Sequence, residues 1–162
     1  MRDRSTVFAL SLIVLWLAAG ATSSRAADDA LLAEMIEREK HLQGVVDVLK
    51  ARLSIPDSVA VAIVPANKLV VSVERARNGS QGFVLSVEDG FVQRLSEDEV
   101  GAVVAHELGH VWIYTHHPYL QTEELANDIA MRVVSRELLE SLYDKVWQKT
   151  GKKGTLTYLP VK

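Results

Sequence analysis

An α+β fold is predicted by three features of this 162-residue sequence. An apolar pattern of helical period occupies residues 28–53, three short β-rich stretches follow between residues 58 and 87, and a capping box at Ser96 opens a second helical region. The expected order is an N-terminal helix, a small and mostly antiparallel sheet, and two helices that close the chain.

The first 26 residues read as an address. Charged Met1-Arg2-Asp3-Arg4 precedes an apolar run from Val7 to Ala19 broken by Ser11, and a small-residue stretch from Gly20 to Ala26 follows. This is the pattern of a secretory signal peptide, with Ser24 and Ala26 at positions −3 and −1 of a cut after Ala26. The run is shorter than the about 20 apolar residues of a spanning helix. A chain of residues 27–162 with no membrane span is expected after cleavage, exported to the bacterial periplasm or secreted; an uncleaved N-terminal anchor is the alternative.

In the helix 28–53, Leu31, Leu32, Met35, Ile36, Leu42, Val45, Val46, Leu49 and Leu53 recur mostly at steps of three and four, with Asp28 or Asp29 as cap. The β-rich stretches are 58–64, closed by Pro65-Ala66-Asn67, then 69–74, then 82–87. Asn78-Gly79 is a hairpin dipeptide and predicts antiparallel pairing of the last two. Ser96 and Glu99 cap a helix through Val100, Val103, Val104, Leu108, Val111 and Trp112 to about Thr115, where His116-His117-Pro118 breaks it. A third helix is expected from about Gln121 to near Gly151 through Leu125, Ile129, Val133, Val134, Leu138, Leu142 and Val146. The tail 152–162 adds a strand or stays loose.

Composition narrows the chemistry. Eighteen basic residues stand against 21 acidic ones, with no basic run longer than Lys152-Lys153, so the footprint of a nucleic-acid binder is absent. The sequence contains no cysteine, which excludes disulfides, thiol nucleophiles and cysteine-bound zinc. A metal site here must be built from histidine and carboxylate.

His106-Glu107-Leu108-Gly109-His110 places two histidines four residues apart inside the expected second helix, so both imidazoles leave one face toward a common point. Glu107 is poorly placed as a further ligand on that face, but it can take a proton from a water at the metal. A catalytic zinc usually has three protein ligands. His116 has the spacing of a longer His-Glu-x-x-His-x-x-Gly-x-x-His pattern, yet Ile113 stands where that pattern needs glycine. The acidic pair Glu123-Glu124 is the other source. Glu123 shares a helix face with small Ala126 and Ala130 and with Asn127 and Val134, whereas Glu124 aligns with Asp128, Arg132 and Ser135. Glu123 is therefore the preferred third ligand and Glu124 its rival. Asn127, one turn on, is placed to hydrogen-bond a ligand imidazole.

With these residues the chain resembles the gluzincin metallopeptidases, which carry two histidines on one helix and a glutamate ligand on a later one. Residues 95–100 leading into the motif, and Glu123-x-x-Ala126-Asn127-x-Ile129-Ala130, are similar to the periplasmic and membrane branch related to the CAAX prenyl proteases. That branch usually has Asp where this chain has Asn127. Glu123 lies only 13 positions after His110, so the chain resembles a minimal member. The resemblance implies a zincin-like fold, one zinc on His106, His110 and Glu123, Glu107 as general base, and a peptide or unfolded protein as substrate. It also implies a strand along the cleft, for which 82–87 is the candidate, and an oxyanion donor, with His116, His117, Tyr143, Tyr119 and Arg132 as candidates. A zinc-bearing module that binds a peptide or envelope partner without turnover is the alternative.

Overall fold

The computed structural model describes residues 9–77, 81–152 and 159, with side chains from residue 25 onward. The chain divides into two units, residues 1–38 and 39–162. Helix α1 (Ala9–Arg52) starts well before the expected residue 28. No proline precedes Pro56, and alanine and leucine, both strong helix formers, fill the segment ahead of Asp28. Asp28 and Asp29 consequently lie inside the helix rather than at its cap. Among the described residues no helix is long and apolar enough to cross a membrane.

In the second unit α1 turns Leu42, Val46 and Leu49 into the core, with Leu53 just past its end. Three strands follow, β1 (Val59–Val64), β2 (Val71–Arg75) and β3 (Phe83–Glu88), in the order β1-β3-β2. β2 pairs antiparallel with β3, as expected, but β1 pairs parallel with β3, so the sheet is mixed rather than mostly antiparallel. The turn after β1 explains this. Asn67 donates through Nδ2 to Ser72 Oγ at 3.0 Å and to Ser86 O at 3.1 Å, which pins it across β3 and sends β2 to the far side. The Asn78-Gly79 turn lies outside the described residues, as does most of the tail 152–162. Gly82, at φ 112°, is the point where β3 meets β1: a Cβ there would sit 2.0 Å from Ser58 Oγ and 2.5 Å from Ser58 O.

Val59, Val61 and Ile63 stand beside Phe83, Leu85 and Val87 in register, and all six are buried on one face. The outer edge of β1 is closed by side chains of α1. Gln43 donates through Nε2 to Val59 O and accepts from Val61 N through Oε1, both at 3.0 Å, and Glu39 accepts from Ile63 N at 3.5 Å. After β3 a single turn, α2 (Asp89–Val92), buries Phe91 and Val92; the sequence pattern did not indicate it.

Helix α3 (Glu97–His116) opens with the predicted capping box: Ser96 Oγ accepts from Glu99 N and the Glu99 carboxylate accepts from Ser96 N. Burial raises the Glu99 carboxyl, but hydrogen bonds from Lys145, Ser96 and Ser141 outweigh it and bring the group down to about 2. The expected third helix is two helices, α4 (Glu123–Ala130) and α5 (Arg136–Thr150). After Ala130 the chain tightens, with Arg132 N bonded to Ile129 O and Val133 N to Ala130 O, and Ser135 then caps α5 through its side chain on Leu138 N. The apolar pattern runs on across this break, which hides it from a periodicity argument.

Candidate metal centre

Helix α3 carries Val100, Val103, Val104, Leu108 and Val111 into the core, and that burial fixes its rotation. His106 and His110 then leave one face together, with their Nε2 atoms 3.3 Å apart. Gly109 lets α4 approach this face. A Cβ on Gly109 would sit 2.4 Å from Ala126 O and 2.9 Å from Ala126 Cα, so the two helix backbones are in contact there. Gly109→Ala is expected to destabilise the fold by about 3 kcal/mol, because both contacts are backbone and cannot swing away; the fall in Tm measures it.

The close approach brings in Glu123. Thr122 caps α4 by accepting from Leu125 N, and Glu123, first in the helix, turns its carboxylate to the imidazoles. Oε2 lies 3.2 Å from His106 Nε2 and Oε1 lies 3.5 Å from His110 Nε2. Hydrogen bonds from both histidines hold the Glu123 carboxyl far below the usual carboxylate range. At His110 burial works against protonation, but the hydrogen bond to Glu123 and the charges of Glu107 and Glu123 prevail and raise it. His106, His110 and Glu123 form a group able to hold a metal ion. Glu124, the rival, is exposed and is not part of that group.

The far nitrogens of both rings are held by amides. His106 Nδ1 lies 2.8 Å from Asn127 Oδ1, and His110 Nδ1 lies 3.2 Å from Gln121 Oε1. An amide oxygen only accepts, so each Nδ1 donates there, which leaves Nε2 as the ring atom that can face a metal once its own proton is given up. Two imidazole nitrogens and a carboxylate converging at such range can hold a cation between them. The distances test the fit to zinc: bonds of about 2.0–2.1 Å in a tetrahedral site separate neighbouring donor atoms by about 3.3 Å. Here the separations are 3.2, 3.3 and 3.5 Å.

Asn127 is fully buried and also donates through Nδ2 to the Tyr143 hydroxyl at 2.8 Å. Glu123 also acts on the Tyr143 hydroxyl, so the α5 tyrosine stands between the Glu123 carboxylate and the amide behind His106. Burial, against the Asn127 hydrogen bond, pushes the Tyr143 hydroxyl up to about 12. Gln121 was not expected. It clamps His110 from both sides, accepting from Nδ1 and donating to the His110 carbonyl at 3.1 Å, and a glutamine in a turn gives no pattern to find it by.

Of the oxyanion candidates, Tyr143 lines the cavity that holds the histidines. His116 stacks on Trp112 with ring centres 4.1 Å apart and bonds the Trp112 carbonyl, and His117 also packs against Trp112. Arg132 lies over the same indole and Tyr119 is 98% exposed. None of these four lines the cavity, which encloses about 390 Å³. Its apolar wall includes Leu69, Val71, Val103, Leu142 and Val146, and Glu107 lies in it beside the histidines. Burial pushes the Glu107 carboxyl up, against the lowering pull of His106 and His110 and a hydrogen bond from the Val73 amide.

The strand at the cavity is β2, through Val71, Ser72 and Val73, not β3. β3 is central and both its edges are paired. Sequence order alone suggested β3 because it stands immediately ahead of the histidine helix. Glu88 N bonds Val70 O and Ala76 N bonds Gly82 O, so the even-numbered residues of β2 face β3 and the odd-numbered ones face away.

No protein-family model and no curated protein matches the sequence. Among solved structures, the crystal structure of the metallopeptidase zymogen of Pyrococcus abyssi abylysin is similar, with a TM-score of 0.51 at 18% identity over 70% of this chain and 99% of that one. The likeness is one of fold: the α+β arrangement of this chain is metallopeptidase-like.

Proposed function

We propose that this chain is a zinc-dependent endopeptidase of the gluzincin type, akin to the CAAX-prenyl-protease-related branch and exported to the periplasm through residues 1–26. The observation that carries the proposal is the convergence of His106 Nε2, His110 Nε2 and a Glu123 carboxylate at 3.2–3.5 Å beside a buried Glu107. The metallopeptidase-like fold supports it.

His106, His110 and Glu123 would hold the zinc. When bound, the ion supplies Lewis acidity that polarises a peptide carbonyl and makes water more acidic. Glu107 takes the proton from the attacking water and delivers it to the leaving amine. The Val73 amide, bonded to Glu107, keeps that carboxylate aimed into the cavity. An extended substrate adds to the edge of β2, which has no further strand beside it among the described residues and where the Val71 amide and carbonyl and the Val73 carbonyl face outward; such backbone pairing gives affinity with little sequence preference. The apolar wall of Val103, Leu142 and Val146 takes an apolar side chain next to the cleaved bond.

Purified protein is expected to cleave casein, to lose that activity to a zinc chelator and to regain it on adding zinc. Stoichiometric zinc without cleavage of casein or of a peptide library would favour the non-catalytic binding module instead.

We assign Tyr143 a positioning role, since its hydroxyl already accepts from Asn127 and is under the influence of Glu123. Tyr143→Phe is expected to weaken zinc binding about tenfold and to leave kcat at saturating zinc within a few-fold of the parent. Unchanged zinc affinity with a kcat lowered on the order of 10²–10³-fold would make it the oxyanion donor instead.

A further inference from the structure

We propose a subsite for a substrate carboxylate next to the candidate active site, on the far side of Leu69 and Val146; it rests on the peptidase reading above. Leu69 and Val146 line both the cavity of the metal centre and a second cavity of about 560 Å³, so the two adjoin across these side chains. Lys68, Lys149 and Lys152 stand around the second, with Trp147 on its wall. The acid there, Glu88, is buried and ion-paired with Lys149, so Lys68 and Lys152 leave the rim positive on a chain of net charge −3.

The turn between β1 and β2 presents this rim at a cost in backbone strain. Val70 sits at φ 69°, where a β-branched residue is a clear outlier. It is over-determined: the Val70 side chain is buried, its amide donates to Asn67 O, its carbonyl accepts from Glu88 N, and Asn67 Oδ1 takes the Leu69 amide at 2.9 Å. The product is a fixed turn that leaves Leu69 69% exposed at the junction of the two cavities, with Lys68 beside it. A mere connection between strands does not need an exposed leucine held in place by a strained valine.

Register fixes where the carboxylate falls. With Glu107 at Val73, the cleaved bond lies opposite that residue. A peptide antiparallel to β2 then runs from Arg75 toward Val71, and its C-terminal side reaches Leu69 and Lys68. Each strand residue advances about 3.3 Å, so the acidic group sits about three to five residues after the cleaved bond.

The test uses the zinc-loaded full-length chain and amidated peptides that differ only in Asp, Ala or Lys at each position after the cleaved bond. Asp at the predicted positions is expected to raise kcat/KM about tenfold over Ala, through KM, with the gain shrinking as salt rises. The double variant Lys68→Glu/Lys152→Glu is expected to prefer Lys. An equal gain from a free C-terminal carboxylate at that place would identify a chain end as ligand, and a gain from Asp alone a side chain; either supports the subsite. Cleavage at equal kcat/KM for Asp, Ala and Lys at every position overturns the subsite and leaves the peptidase standing. In parallel, binding of the labelled peptides to Glu107→Gln is read by fluorescence anisotropy. No cleavage by the parent, with Asp-dependent binding lost on adding Lys68→Glu/Lys152→Glu, sinks the peptidase and keeps the subsite. Neither cleavage nor Asp-dependent binding overturns both.

Discussion

Glu107→Gln is expected to lower kcat about 10³-fold while the protein still binds one zinc per chain. Glutamine keeps the shape of the side chain and can still meet the Val73 amide through its carbonyl, but it cannot accept a proton from water. Glu107 is buried, and its neighbours in the cavity are the two histidines and Glu123, so among the described residues no second free carboxylate stands ready to replace it. Metal content by native mass spectrometry and turnover of a peptide substrate read the two halves of the prediction separately. Full turnover by this variant removes Glu107 from the mechanism, and loss of zinc instead assigns it to the ligand set.

The second large effect concerns the ligands. Native mass spectrometry is expected to find about one zinc per chain in the parent and in Glu124→Ala, and none in His110→Ala or Glu123→Ala. Zinc at about a thousand times its dissociation constant stabilises the folded state by about 4 kcal/mol, which for a chain of this size raises Tm on the order of 10 °C. That rise is expected to persist in Glu124→Ala and to vanish in Glu123→Ala. The contrast follows from the about 100° of helix rotation between consecutive residues, which sets the Glu123 carboxylate 3.2 Å from His106 Nε2 and turns Glu124 away from the group. Zinc lost from Glu124→Ala and kept by Glu123→Ala would reverse the assignment.

The parts of this fold set by neighbouring residues were legible in the sequence, and those set by distant ones were not. The capping box at Ser96 and Glu99 is a local device, and it located the start of α3 to the residue. The shared face of Glu123, Ala126, Asn127 and Ala130 follows from the helical period, and the structure puts Glu123 and Asn127 on His106. The parallel pairing of β1 with β3 depends on Asn67 reaching Ser86, 19 residues away, which no local pattern encodes. The break between α4 and α5 had a visible signal in Ser135, yet the apolar spacing of Ile129, Val133, Val134 and Leu138 continued through it. Gln121 and the β2 edge escaped for the same reason: each acts through the place where the fold puts it.

The side chains of Gln43 and Glu39 also bear on how the protein behaves at high concentration. An exposed strand edge is a template on which other chains assemble, and a sheet with β1 open would invite stacking of one molecule on the next. In this chain a helix stands guard there, so of the two outer strands β1 is withheld from such pairing. Any shortening from the N-terminus that reaches residue 43 removes that guard, and a sticky, self-associating product is the natural outcome.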